Sequence, residues 1–487
     1  MWVGHKGVSA MSFGFFQKYA CAKYLICTLW ISGAMTMLTA LATDSLAAKP
    51  VVSEEYMNAT QERISRLFLK NGISVTHYQN DSDMMALIFD LDWSRDDYLY
   101  GWGLHRQFIA ALMTQQTQRF GRDELADKIT NIAQTIRCGP TPSCLNDNVH
   151  LTCSIYAPHK YLTENLEVLH SIITEPKFSS QDLEVRKKNA LLSIQSCANK
   201  DRWQLNKSLH ALRFTPSGFN DYYYNLAAQV KRLTTDDLTK EYQKFLNARR
   251  MNFAVVSPDK ATNIQKTLNK TFGSIPSWHY ESHIQYLEHF LKHSSYDQRR
   301  VVYHPKDLSN IFVKISFSTP GGYSTHQEAW RLLMNVMYIN FFEQLRSHKG
   351  LSYAPSVSSG VISFTTSKLK ESMDVVRDFI KSMREDPLHG KGLQEYTNAF
   401  YTEYFRSQSN TFEIAQYLHG YSYPFYRIDT WSFFPKLIAE VDVKTLRFLA
   451  QYYLRNFKIA ILGPQKLVGD TSLYNDYFDP EVVVSYP

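Results

Sequence analysis

One closing unit occurs twice in this chain. Residues 238–258 read LTKEYQKFLNARRMNFAVVSP and residues 446–464 read LRFLAQYYLRNFKIAILGP. Each is an amphipathic helical run, a short polar turn and an apolar strand that ends at a proline. Such a unit hides its apolar face only by packing on other elements, so a doubled unit predicts two similar lobes. A length of 487 residues points the same way, because it exceeds what one core ordinarily serves.

The elements ahead of each closing unit repeat the same order. In the first copy Met85, Leu87, Phe89, Leu91 and Trp93 alternate as in a strand. A helix follows with Leu104, Phe108, Ala111 and Leu112 on one face, then a second with Leu125, Ile129, Ile132 and Ile136. Val149, Leu151, Cys153 and Ile155 predict another strand. Leu166, Leu169, Ile172 and Ile173 predict a helix, and a long helix is expected over Ser180–Ala198. The second copy opens with Ile311, Val313, Ile315 and Phe317. Ser324 and Gln327 make a capping-box pattern before a helix that buries Trp330, Leu333, Met337, Phe341 and Leu345, and Gly350 stops it. A strand through Val361 and Phe364 and further helices precede the closing strand. The expected layout is a targeting segment over 1–48, a first lobe over 49–274, a polar linker over 275–300 and a second lobe over 301–487. The expected fold class is α+β, two repeated lobes with antiparallel-rich sheets packed by helices.

The first 48 residues have the order of an export signal. Lys6, Lys18 and Lys23 precede the uncharged stretch from Tyr24 to Ala42, and small residues follow at Ala40, Ala42, Ala47 and Ala48. The expectation is an exported, periplasmic protein, either cleaved free or held at the inner membrane by this segment alone. The net charge of +7 is dispersed among acids, and no basic run with interleaved aromatics resembles a nucleic-acid face. Past the signal, Cys138, Cys144, Cys153 and Cys197 remain, and Cys138 with Cys144 flanks a turn-rich loop that suits a disulfide.

The segment FFEQLRSHKGLSY, residues 341–353, reads as a helix end, a glycine stop and an extended exit. It sets Arg346 and Tyr353 on either side of one helix terminus. A permanent cation with a planar fork of donors and a neutral hydroxyl together suit a peptide carbonyl and the charge that develops on its oxygen. By this motif, the doubled lobe and the paired closing units, the chain resembles the insulinase-like, or pitrilysin-type, zinc peptidases (the M16 family). The resemblance implies that LRSHKGLSY is the second-lobe signature, in which Arg and Tyr reach the substrate at a partner's zinc site. It also implies a two-lobe half of a paired enzyme.

The same resemblance calls for an H-x-x-E-H motif on the first amphipathic helix and a glutamate on a later one. Two histidines one helical turn apart bind zinc, and the glutamate takes a proton from the metal-bound water. Here one register gives Gln107, Phe108, Ile109, Ala110 and Ala111, and the other gives Arg106 through Ala110. Gln107, Ala110 and Ala111 therefore stand as degenerate positions. No acid lies between Glu184 and Asp201, where the distal ligand belongs. His289-Phe290-Leu291-Lys292-His293 imitates the motif in the linker, but Lys292 is no base at neutral pH.

The expected function is a non-catalytic, substrate-binding subunit, inactive alone, that supplies Arg346 and Tyr353 to a zinc-bearing H-x-x-E-H partner. Zinc is expected in that partner and no cofactor in this chain, with peptides or unfolded proteins as substrate and no nucleic acid. Two alternatives stand beside it: an inert pseudo-peptidase that binds or scaffolds, and a zinc peptidase with rearranged ligands recruiting His105, His150 or the linker histidines.

Overall fold

The computed structural model describes residues 52–92, 103–132, 136–138, 150–198, 201–213, 226–279, 300–320, 326–358, 360–421, 431–475 and 477–478. After helix α1 (Glu54–Glu62), the first sheet holds β1 (Ile64–Phe68), β2 (Ser74–Gln79), β3 (Met84–Asp92), β4 (Ile136–Cys138), β5 (His150–Pro158) and β6 (Met251–Ser257). Its spatial order is β1-β2-β6-β3-β5-β4, and β2–β6 is its parallel pair. The second sheet holds β7 (Val301–Pro305), β8 (Ile311–Ser316), β9 (Ser356–Ser358), β10 (Val361–Thr366) and β11 (Lys458–Gly463) in the order β7-β11-β8-β10-β9, with β7–β11 parallel. The fold is α+β with two mixed, antiparallel-rich sheets, and each closing unit supplies an inner strand, β6 or β11.

In the first sheet, Met85, Leu87, Phe89 and Leu91 point into one core with Phe253, Val255, Leu151 and Ile155. Helices α2 (Gly103–Leu112), α3 (Arg122–Ile132), α4 (Leu162–Thr174) and α5 (Ser180–Ala198) belong to that lobe, as do α7 (Thr235–Phe245) and α8 (Ala261–Phe272). Among them, α4 and α8 pack on its strands. Thr234 caps α7 with a reciprocal box: its hydroxyl accepts from Asp237 N–H, and the Asp237 carboxylate accepts from Thr234 N–H. In the second sheet Ile311, Val313, Ile315, Ile362, Phe364, Ile459 and Ile461 share a core with α9 (Gln327–Phe342), α10 (Leu369–Glu385) and α11 (Leu393–Ser407). Helices α13 (Phe434–Ala439) and α14 (Val443–Tyr453) complete that core.

The opposite faces of both sheets are covered by exchange. Helix α6 (Asp201–Arg213) follows the first lobe's elements in the chain but lies on β8 and β11, where Leu205 and Leu209 meet Ala460, Leu462 and Phe312. Helix α12 (Thr411–Tyr421) follows the second lobe's elements but lies on β3 and β6, where Ile414, Ala415 and Leu418 meet Ala86, Ile88, Ala254 and Val256. The alanines at these positions bring helix and sheet into close approach. Polar contacts fix both helices. Lys306 pairs with Asp201 at 2.5 Å, and Lys314 bonds Asn206. Asn80 donates to Thr411 at 3.2 Å, and His419 lies 3.4 Å from buried Asp90.

Some details depart from the sequence reading. Ile136 opens β4, beside β5, rather than ending α3, because the helix stops at Ile132. The Ser324–Gln327 box does not start α9. Gln327 is itself the first helical residue behind His326, so it cannot sit three residues into the helix, and Ser324 lies outside the described residues. Ile275 is buried in the first core, and the Trp278 backbone bonds Asn247, so ordered first-lobe chain runs into the stretch expected as linker. Trp93 and Val149 fall outside the described residues.

Two predictions follow from this packing. Burial lowers the His77 imidazole to about 4, against a weaker upward pull from Asp259, and its Nε2 lies 3.1 Å from Ser257 Oγ across β2 and β6. The folded chain thus keeps His77 neutral, whereas the unfolded chain takes up a proton below about 6.5. Stability is therefore lost as pH falls from about 6.5 toward 4. Urea midpoints at pH 7 and pH 4.5 should show the native chain losing about 2–3 kcal/mol more than His77→Gln. The second prediction concerns Trp431, which is buried against Tyr78 of the first lobe at 5.8 Å and donates to Ser407 at 3.2 Å. Trp431→Ala should cost about 3–5 kcal/mol. Because each lobe covers the other's sheet, denaturation followed by two probes should remain a single coincident transition.

Candidate functional site

Helix α9 carries two stripes. Phe341 and Leu345 point inward and are fully buried, and Phe341 meets Phe379 at 5.2 Å. Tyr338, Phe342 and Arg346, spaced one turn apart, lie on the outer side, where Tyr338 is 43% exposed and Phe342 half-buried. The α-helix ends at Phe342 and a π-helical turn runs over Glu343–His348. Turns of this kind are rare and recur at functional sites. Glu343 is tied to Lys391 at 2.7 Å, and that hydrogen bond holds the lysine amine above its ordinary range.

Gly350 reverses the chain. Its φ of +60° belongs to the left-handed region that glycine enters without a Cβ penalty. Gly350 N–H donates to Arg346 C=O at 3.0 Å, and Leu351 N–H to Leu345 C=O at 2.9 Å. Leu351 and Ser352 then bury themselves, and Ser352 Oγ accepts from Thr365 N–H at 3.3 Å. Tyr353 emerges 81% exposed.

This reversal brings the two expected residues together. The Arg346 guanidinium carbon lies 4.5 Å from the Tyr353 ring centroid and 4.9 Å from that of Phe342. Among the described residues the guanidinium has no hydrogen-bond acceptor or carboxylate partner, and the Tyr353 hydroxyl has no partner either. A fixed cation and a neutral donor thus share one exposed surface with their polar ends open. Phe342 and Tyr338 belong to the same surface. Sequence reading passed over both, although the Tyr338-Phe342-Arg346 spacing was there to find.

The first lobe's α2 is a different environment. It packs against α5 and α7. Arg106, Phe108, Ile109 and Ala110 are buried, Gln107 nearly so, and Ala111 partly. The Arg106 guanidinium carbon lies 5.1 Å from the Phe245 ring centroid, and that of Arg250 lies 5.3 Å from the same ring. Arg250 also donates to Asp92 C=O at 3.1 Å. In either register these side chains do not fit zinc. They offer no imidazole or carboxylate, and a buried permanent cation opposes a second one.

His105 lies at the edge of this packing, where burial lowers its imidazole and Glu241 and Asp237 oppose that shift. On α5, Glu184 pairs with Lys187 at 2.7 Å. Among the described residues, no group of three His, Cys, Asp or Glu side chains is placed to hold a metal ion. The side chain of His150 and the linker residues His289 and His293 lie outside the described residues. So does Cys144, which leaves the Cys138–Cys144 pairing open. Cys153 is disulfide-bonded, and Cys138 is its register partner across β4 and β5.

Residues 232–399, from the end of the first lobe through the Arg346–Tyr353 segment, match the family described as peptidase M16 inactive domain. No curated protein matches the sequence. Among solved structures, the fold is similar to a peptidase M16 inactive domain from Pseudomonas fluorescens. That match has 12% identity and a TM-score of 0.69, covering 82% of this chain and 98% of the other. A protease from Helicobacter pylori is similar at 11% identity and a TM-score of 0.68, with 82% and 99% covered. The periplasmic protease PqqL from Escherichia coli is similar at 11% identity and a TM-score of 0.62, with 87% of this chain matching 51% of that one. Residues 232–399 thus match a peptidase M16 inactive domain, and the fold of the chain is similar to that of solved M16-type structures.

Proposed function

We propose that this chain is the non-catalytic, substrate-binding member of a two-protein M16 peptidase, exported to the periplasm. It supplies Arg346 and Tyr353 to a zinc-bearing H-x-x-E-H partner that cleaves peptides or unfolded proteins. The observation that carries this reading is a contrast within one chain. Arg346 and Tyr353 are adjacent, exposed and open at their polar ends, while the α2 positions Gln107, Ala110 and Ala111 have no side chain that binds metal. In the partner's site zinc supplies the Lewis acid and the activated water. Arg346 holds a substrate carbonyl and offsets negative charge as it develops on the oxygen, and the Tyr353 hydroxyl donates to the same oxygen. The charged, apolar and small-residue order of residues 1–48 agrees with this placement. No helix among the described residues is long and apolar enough to cross a membrane.

The test mixes the purified mature chain with a zinc-bearing H-x-x-E-H homologue and assays unstructured peptides. The expected result is little zinc in this chain, little cleavage by either protein alone and chelator-sensitive cleavage by the mixture. Arg346→Ala or Tyr353→Phe should lower kcat/KM by on the order of 10²-fold. Stoichiometric zinc with cleavage by this chain alone would overturn the reading. A stable complex whose activity ignores both substitutions would favour an inert binding protein.

A further inference from the structure

The Arg346 guanidinium carbon lies over two aromatic rings, Phe342 and Tyr353. We infer that Phe342 is a positioning residue for Arg346, one that fixes the cation through its ring rather than through a charge partner. An aromatic ring attracts the cation through its π face but carries no charge and no carboxylate oxygen, so the guanidinium keeps its full charge for a ligand. A carboxylate clamp would do the opposite: it would occupy two donors and cancel the charge. Two rings lie under the Arg346 cation, Phe342 at 4.9 Å and Tyr353 at 4.5 Å, and among the described residues no acid pairs with it.

Phe342 is itself placed by two constraints. It sits one turn before Arg346 on the outer stripe, and its ring contacts that of Tyr338 at 6.3 Å and 45°. The π-helical turn begins directly after it, and the Glu343–Lys391 pair anchors that turn. The nearest acid in sequence, Glu343, is thereby engaged by Lys391. Tyr338, Phe342, Arg346 and Tyr353 form one surface strip of three rings and a cation, in which the charge is ordered before any ligand arrives.

This ordering concerns the free chain, so its test does not need a partner. Arginine is labelled with nitrogen-15, and the Arg346 Nε–Hε signal is assigned by its loss in Arg346→Lys. The expected signal is shifted upfield by the ring currents and has restricted motion. Phe342→Leu should move it toward the position and mobility of a solvated arginine, while Phe342→Tyr should keep both. Melting curves of each variant show that the fold is retained. A signal already mobile in the native chain, or unchanged in Phe342→Leu, would overturn the inference. The consequence for cleavage rests on the function proposed above. In the active mixture Phe342→Leu should lower kcat/KM about fivefold and Phe342→Tyr should restore it. The resonance experiment fails or succeeds whether or not that mixture is active, so the two readings stay distinguishable.

Discussion

Each sheet in this protein needs cover on two faces, and each lobe supplies only one. β3 is buried along nearly its whole length, and β6 along all of it. Their second faces are closed by Ile414, Ala415 and Leu418 from the far end of the chain. Leu205 and Leu209 do the same for β11. Apolar surface on both sides of a strand cannot be left in water. The exchange of α6 and α12 is therefore a condition of folding for both lobes, and it makes them one mechanical unit. The packed second lobe in turn holds the Arg346–Tyr353 surface.

That surface combines order with openness. Buried Phe341 and Leu345 anchor the inner side of the helix, and Leu351 with Ser352 anchors the exit strand. Between these anchors the outer side keeps its polar ends unengaged. The first lobe uses its corresponding helix differently. Arg106 and Arg250 both contact Phe245, and Gln107 and Ala110 are buried beside Arg106 on that helix. In one lobe this helix is given to packing, while the other presents two chemically capable side chains to solvent.

Much of this was legible in the sequence. Period-two alternation located β3, β5 and β8, the paired closing units located β6 and β11, and the Gly350 stop located the reversal that joins Arg346 to Tyr353. The helix exchange was not legible, because apolar periodicity shows that a helix has a buried face but not which sheet receives it. The signal that existed was compositional. Runs such as Met85–Phe89 and Phe253–Val256 are apolar on both strand faces, and Ala86, Ala254 and Ala460 mark the close approach. The strands β1, β2 and β7 were missed because their sequences mix polar and apolar residues without alternation, and β2 buries Thr76 and His77 beside Val75 and Tyr78. The role of Phe342 escaped because an aromatic on an amphipathic helix reads first as core.

The central claim is that Arg346 and Tyr353 meet a peptide only at a site completed by another polypeptide. Placing a photoreactive phenylalanine analogue at position 353 tests this directly. Irradiation with an unstructured peptide should cross-link peptide to this chain when the zinc-bearing partner is present, and much less in its absence. Equal cross-linking with and without the partner would show that this chain binds peptide at a site of its own, and would contradict the account.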